Sequence, residues 1–185
     1  MIPTKLFSYA LVSGVVLLGL SVYWPAQALL STQTAEPAPE FTHSQQDEWI
    51  NSAPLTLESL RGQVVLLDFW TFDCWNCYRS FPWLTALEKR LAKQGLRVIG
   101  VHTPEFKHER VRANIEAKVK EFGLQHPTMM DNDFSYWRAM NNRYWPAFYL
   151  IDKQSRLRAQ YAGETHAGDQ QAQRIEADIR SLLAE

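Results

Sequence analysis

Apolar residues follow two different periods along this chain. Val64-Val65-Leu66-Leu67, continued by Phe69 and Trp70, is the kind of run that a strand buried on both faces requires. Leu96 to Val101 is a second such run. His126–Met130, Ala147–Ile151 and Arg156–Ala162 predict three more strands, and Pro54-Leu55-Thr56-Leu57 has a short strand pattern before a turn at Leu60-Arg61-Gly62-Gln63. Between the runs the period lengthens. Phe81, Leu84, Leu87 and Leu91 recur at three- and four-residue spacing, which predicts a helix over Cys77–Gln94, kinked at Pro82 and ended by Gly95. Glu109–Phe122, Phe134–Asn141 and Gly168–Leu183 predict three further helices, the last turning Ile175, Ile179 and Leu182 inward. Asp131-Asn132-Asp133 reads as a turn and cap, and Asp152-Lys153-Gln154-Ser155 as a hairpin turn. Strands alternating with helices, then a hairpin and a closing helix, give an α/β layer fold with a mixed sheet.

The flanking sequence departs from this pattern. Leu6 to Tyr23 carries no charge, follows Lys5 and precedes Ala26-Gln27-Ala28, a small-x-small tripeptide of the kind signal peptidase reads. The stretch is long enough, at about 27 Å as a helix, to cross most of a bilayer core. Residues 1–28 therefore read as either a cleaved signal peptide or a retained membrane anchor. Residues 29–47 are polar and Pro-containing and read as a flexible linker, leaving 48–185 as one domain. Either reading of the leader puts that domain outside the cytoplasm, in a bacterial periplasm. With 46% hydrophobic residues and a net charge of −1, the chain is globular and has no basic patch for nucleic acid.

Only two cysteines are present, Cys74 and Cys77, and they sit just past the first buried run. Placed in the first turn of a helix, residues three apart face the same way and reach disulfide distance. The helix N-terminus favours the thiolate of the first, which makes Cys74 the nucleophile and Cys77 the group that resolves a mixed disulfide. No second cysteine pair supplies the four ligands of a structural zinc site, and His43, His102, His108, His126 and His166 show no ligand spacing, so neither metal nor cofactor is expected. Asp68 interrupts the buried run, where a charge is costly without a role. Asp73 fits a helix N-cap, and its charge should oppose the Cys74 thiolate.

From about Trp49 to Gly163 the chain resembles the thioredoxin superfamily, in the exported branch typified by TlpA and ResA, and most of all the thioredoxin-like C-terminal domain of DipZ-type proteins. Asp68 stands six residues before Cys74, Pro82 five after Cys77, and Trp145-Pro146 directly before the strand Ala147–Ile151. Val101-His102-Thr103-Pro104-Glu105 and Asn142-Arg143-Tyr144-Trp145-Pro146-Ala147 also match the DipZ-type pattern. The resemblance implies a thioredoxin-like fold with an inserted helix within Pro104–Gln125. It implies that Asp68 relays the Cys77 proton, and that a cis Pro146 faces the cysteines with the Trp145 backbone offering strand-like hydrogen bonds to a client; Trp75, beside an exposed cysteine, is a further candidate for client contact. It further implies thiol–disulfide exchange with client proteins, more as reductant than oxidant, with electrons from a membrane donor of the DsbD or CcdA type. Trp75-Asn76 replaces the Gly-Pro of thioredoxin, which leaves the direction of electron flow open. Two alternatives stand beside this reading. Thr71-x-x-Cys74 mimics part of a peroxiredoxin loop, although Leu67 occupies its proline position. A Sco-like copper carrier shares the fold, although its cysteines stand one residue further apart.

Overall fold

The structure is a computed structural model and describes residues 35–185. The expected leader, residues 1–28, lies outside the described residues. Among those described, no helix is long and apolar enough to cross a membrane. Seven strands form one mixed sheet: β1 (Glu36–Pro37), β2 (Trp49–Ile50), β3 (Val64–Trp70), β4 (Leu96–His102), β5 (Thr128–Met130), β6 (Ala147–Ile151) and β7 (Arg156–Ala162). Their order is β1-β7-β6-β3-β4-β5-β2, with β3, β4 and β5 mutually parallel and the other pairs antiparallel. Among the described residues four α-helices accompany them: α1 (Trp75–Leu91), α2 (Arg112–Glu121), α3 (Ser135–Ala139) and α4 (Gln170–Ala184).

β3 lies at the centre and all seven of its residues are buried. Strand alternation divides them between two cores. Val64, Leu66 and Trp70 join a cluster that includes Phe81, Leu84 and Leu87 of α1 and Ile175 and Ile179 of α4. Val65, Leu67 and Phe69 join the opposite cluster, with Trp49, Tyr136 and Tyr149. Burying aliphatic and aromatic side chains at both faces, at roughly 1.5–3 kcal/mol each, holds the end of β3 and the start of α1 in fixed relation. Pro82 sits inside α1 without ending it. The helix gives way to a short 3-10 turn at Ala92–Gln94, and Gly95 closes it with φ 103°, a left-handed conformation that glycine adopts at least cost.

Two expectations are corrected. Pro54–Leu57 forms no strand. Thr56 and Ser59 bond to each other's backbone and side chain there, which favours the 3-10 turn at Glu58–Leu60 over sheet pairing. The edge strand comes instead from Trp49–Ile50, paired with β5. The described part of the expected linker, residues 35–47, belongs to the fold. Glu36 and Pro37 pair with β7, Ala38 is buried, and His43 is 7% exposed. The polar composition of this segment misled because His43 is buried as a charged group with partners. Its Nδ1 meets Glu48 at 2.8 Å, and its Nε2 meets Asp131 at 3.2 Å and Asp133 at 3.3 Å.

The Asp131 hydrogen bond, followed by the Glu48 carboxylate, raises the His43 pKa to about 9 against the opposing effect of burial. A folded-state pKa above the unfolded value of 6.5 contributes stability that is complete below pH 6.5 and lost as pH rises through 9. The parent is therefore expected to exceed His43→Gln in unfolding free energy at pH 6 by on the order of 2 kcal/mol more than at pH 9.5, measured by urea denaturation.

Candidate functional site

The loop Thr71–Cys74 leaves the C-terminal end of β3 and enters α1. Cys74 is the N-cap residue of that helix, with Sγ accepting a hydrogen bond from the Cys77 backbone N–H at 3.2 Å. Cys74 and Cys77 are joined in a disulfide with their Cα atoms 5.3 Å apart. The two sulfurs differ in surroundings. Cys74 is partly exposed, whereas Cys77 is fully buried within the α1-facing core. A nucleophile must meet its client, and a resolving thiol is kept from it. This asymmetry gives each cysteine the position its expected role requires.

Asp68 alternates with Val64, Leu66 and Trp70 and so shares the sheet face on which Cys77 packs. It is 1% exposed, and neither carboxylate oxygen has a hydrogen-bond partner in the protein. Desolvation pushes its pKa up to about 8. Opposite it in the register is Gly100. A Cβ at that position would come within 2.8 Å of Thr128 Oγ1 and 2.9 Å of Trp70 Nε1, so only glycine lets these groups close over the strand.

The Trp145–Pro146 peptide bond is cis. Phe69 pairs with Ala147, which puts Pro146 at the level of Trp70, at the end of the sheet from which the cysteine loop departs. Pro146 is buried and Trp145 partly buried, with the Trp145 ring 4.3 Å from that of Trp137. Trp75 is 65% exposed beside Cys74. A cleft of about 360 Å³ opens alongside, with Phe72, Cys74, Trp75, Tyr78 and Phe122 in its wall. The expected site residues thus converge on one end of the sheet.

Asp73 is not the N-cap of α1, since Cys74 holds that position. The Asp73 carboxylate turns away to His108 Nε2, at 2.6 Å. The segment before α2 also supplies a residue that sequence reasoning passed over. Glu109 is fully buried and accepts hydrogen bonds from Thr71 Oγ1 at 2.5 Å and from the Asp73 backbone N–H at 3.1 Å. The available signal was a Glu three residues after Phe106, a position from which the side chain returns to a helix start. It lies in a 3-10 turn, Lys107–Arg110, whereas the helix was expected to begin at Glu109 itself. The Thr71 hydroxyl is thus engaged by Glu109 and not free to serve a peroxidase loop. His102 is buried between Trp70 and Phe72, and desolvation lowers its pKa to about 4, so its ring is neutral.

Among the described residues, His43, Asp131 and Asp133 are the one cluster with metal-ligand spacing. Both His43 nitrogens already meet carboxylates. Asp131 also accepts from Thr103 Oγ1 and from the Tyr136 and Trp137 backbone N–H groups, capping α3. A protonated imidazole has no lone pair for a metal, so the cluster is read as an ion pair.

A seven-stranded mixed sheet with a redox-type cysteine pair at the start of its central helix and a cis-proline facing the same end defines a thioredoxin-like protein. The chain belongs to the AhpC/TSA family, whose profile matches residues 34–160. It is similar to Protein DipZ of Mycobacterium tuberculosis, 42% identical over 138 residues that cover 73% of this chain and 19% of DipZ. The match therefore spans about a fifth of that relative. It is also similar to the thiol-disulfide oxidoreductase YkuV of Bacillus subtilis, 28% identical over 81% of this chain and 96% of YkuV. Among solved structures, the thioredoxin-like superfamily protein SPOA0173 superposes with a TM-score of 0.71 at 28% identity, covering 82% of this chain and 98% of that one.

A folded-state pKa of about 8 for Asp68, above its unfolded value, means that the unfolded chain ionises first as pH rises. The resulting cost is absent below about pH 4, grows through the interval and is complete above pH 8. Asp68→Asn removes this dependence. Whatever its effect at pH 4, the oxidised variant is expected to gain on the order of 5 kcal/mol on the parent between pH 4 and pH 8.5 in urea denaturation.

Proposed function

We propose that this chain is an exported thiol–disulfide oxidoreductase that reduces disulfides in client proteins. The observation that carries the reading is the asymmetric disulfide: Cys74 at the surface, Cys77 enclosed, and an uncompensated Asp68 on the same buried face. The similarity to YkuV, whose name states this activity, supports it.

The mechanism starts from the dithiol. The Cys74 thiolate attacks one sulfur of a client disulfide, and the other client sulfur leaves as a thiolate. Cys77 gives its proton to the Asp68 carboxylate, attacks Cys74 Sγ and displaces the second client sulfur. Two electrons pass to the client, which becomes a dithiol after proton uptake, and Cys74–Cys77 becomes the disulfide seen here. In this oxidised state Asp68, with its pKa raised to about 8, holds a proton at neutral pH. It can return that proton to Cys77 when a donor thiolate opens the bond at Cys74. The donor of this reading is a membrane dithiol protein of the DsbD or CcdA type.

The client lies between Trp75 and the cis-proline loop, with the Trp145 backbone offering strand-like hydrogen bonds. The exposed large apolar side chains support this surface, since Trp75, Tyr78, Phe106 and Tyr144 all belong to the cysteine helix, the segment before α2 and the cis-proline loop. The uncharged leader after Lys5 supports a periplasmic location, with the N-terminal segment either removed or held in the inner membrane.

In insulin reduction, Cys74→Ser is expected to lower turnover at least about 100-fold, because the attacking thiolate is lost. Cys77→Ser is expected to accumulate a mixed disulfide through Cys74, visible on non-reducing gels and released by dithiothreitol. Parent-like turnover in both variants would contradict the assignment. Asp68→Asn is expected to slow the resolving step about tenfold and to remove its rise with pH near 8, measured by stopped flow.

A further inference from the structure

Glu109 is a buried carboxylate that thiol exchange does not use directly. Its Oε1 accepts from Thr71 Oγ1 and from the Asp73 N–H. Its Oε2 accepts from the Glu105 and Phe106 N–H groups, both at 2.6 Å. All four contacts are donors, a pattern that a carboxylate satisfies and an amide cannot, because an amide nitrogen facing an N–H has nothing to accept. Two of the donors belong to the loop that ends at Cys74, and two to the segment that precedes α2. The same pair of segments is joined again at the surface, where the Asp73 carboxylate meets His108, and by the edge-on contact of the Phe72 and His108 rings.

Resting on the reading of this centre as a disulfide exchanger, we propose that Glu109 is a positioning residue that clasps the Thr71–Asp73 loop and biases the couple toward giving electrons. The geometry gives both halves of this role. Oε1 anchors the Phe72–Asp73 peptide group, one residue short of Cys74, so it holds the loop that carries the helix N-cap sulfur. It also places a formal negative charge, fully buried, at the end of α1 where backbone N–H groups would otherwise favour the Cys74 thiolate. A thiolate opposed in this way is a less stable product of reduction, so the dithiol gives up its electrons more readily.

The other charged and titratable groups around the loop do not remove this bias. Asp73 adds a second carboxylate, faced by His108. His102, from β4, is buried and neutral. From α2, Lys118 is paired with Glu121 at 3.0 Å. Asp68 is buried on the sheet face that Cys77 shares, and its charge is common to the parent and the variants below.

The test uses the full chain, with Glu109→Gln and Thr71→Val. The pH midpoint of Cys74 alkylation is followed in the reduced protein, and the Cys74–Cys77 equilibrium is followed against a glutathione redox buffer at a pH above the midpoint so measured. Glu109→Gln is expected to lower the midpoint by about one unit and to shift the equilibrium about tenfold toward the dithiol, equivalent to about 30 mV. A merely structural role would lower the melting temperature and leave both values in place. A folded Glu109→Gln protein with an equilibrium within about twofold of the parent overturns the proposal. Thr71→Val loosens the clasp without altering charge. Its equilibrium is expected to stay within about twofold of the parent, while the amides of Asp73–Trp75 in the oxidised form exchange about tenfold faster. If Glu109→Gln does not accumulate as folded protein, Thr71→Val decides, and parent-like exchange at those amides overturns the proposal. These readouts need no client. A parent chain that reduces no protein disulfide defeats the proposed activity while leaving the Glu109 result standing, and the converse also holds.

Discussion

Cys77 is enclosed because the first turn of α1 packs into the core built on the face of β3 to which Asp68 belongs. Everything chemical about the site follows from that contact. It divides a four-residue disulfide between solvent and core, so that one sulfur is available for attack and the other is available only to its partner. Asp68, on the same face, is shut off from water as well, with neither carboxylate oxygen compensated. An unpaired buried carboxyl costs stability in any fold. Here the same desolvation raises its pKa to about 8, and in the proposed mechanism that carboxyl is the proton partner of Cys77. The cost and the function come from the same desolvation.

The supports of this contact lie on all sides of it. β3 is central, with α1 and α4 packed on one face and the N-terminal segment and α3 on the other. The N-terminal segment is tied down by the ion pair of His43 with Asp131, whose carboxylate also caps α3. The cysteine loop is fastened on its outer side by Glu109 and His108 from the segment before α2. Two carboxylates therefore serve as multi-donor anchors, Asp131 behind the sheet and Glu109 beside the cysteines. Each brings together chain segments far apart in sequence.

Much of this was legible in the sequence, and the exceptions share a cause. The buried runs at β3 and β4, the α1 periodicity and the offsets of Asp68, Pro82 and Pro146 from the cysteines are local patterns, and they led to the thioredoxin-like fold and to the convergence of Cys74, Cys77, Asp68 and Pro146 at one end of the sheet. What escaped notice depends on partners distant in the chain. Residues 35–47 looked like linker because a polar composition does not reveal that His43 will find Asp131 across 88 residues. Glu109 read only as the start of a helix over Glu109–Phe122, because nothing local shows that Thr71 and the Asp73 amide will reach it. Asp73 was read as an N-cap by residue type, but the helix starts one residue later and the cysteine sulfur takes the cap.

The central claim is the inequality of the two sulfurs, and it can be measured directly in the reduced full chain by peptide-resolved mass spectrometry after brief alkylation with iodoacetamide at pH 7.5. The account requires Cys74 to be modified alone, with Cys77 at least about 100-fold slower as long as the fold is intact, and equal modification of both after denaturation. Comparable rates at Cys74 and Cys77 in the folded protein would contradict it.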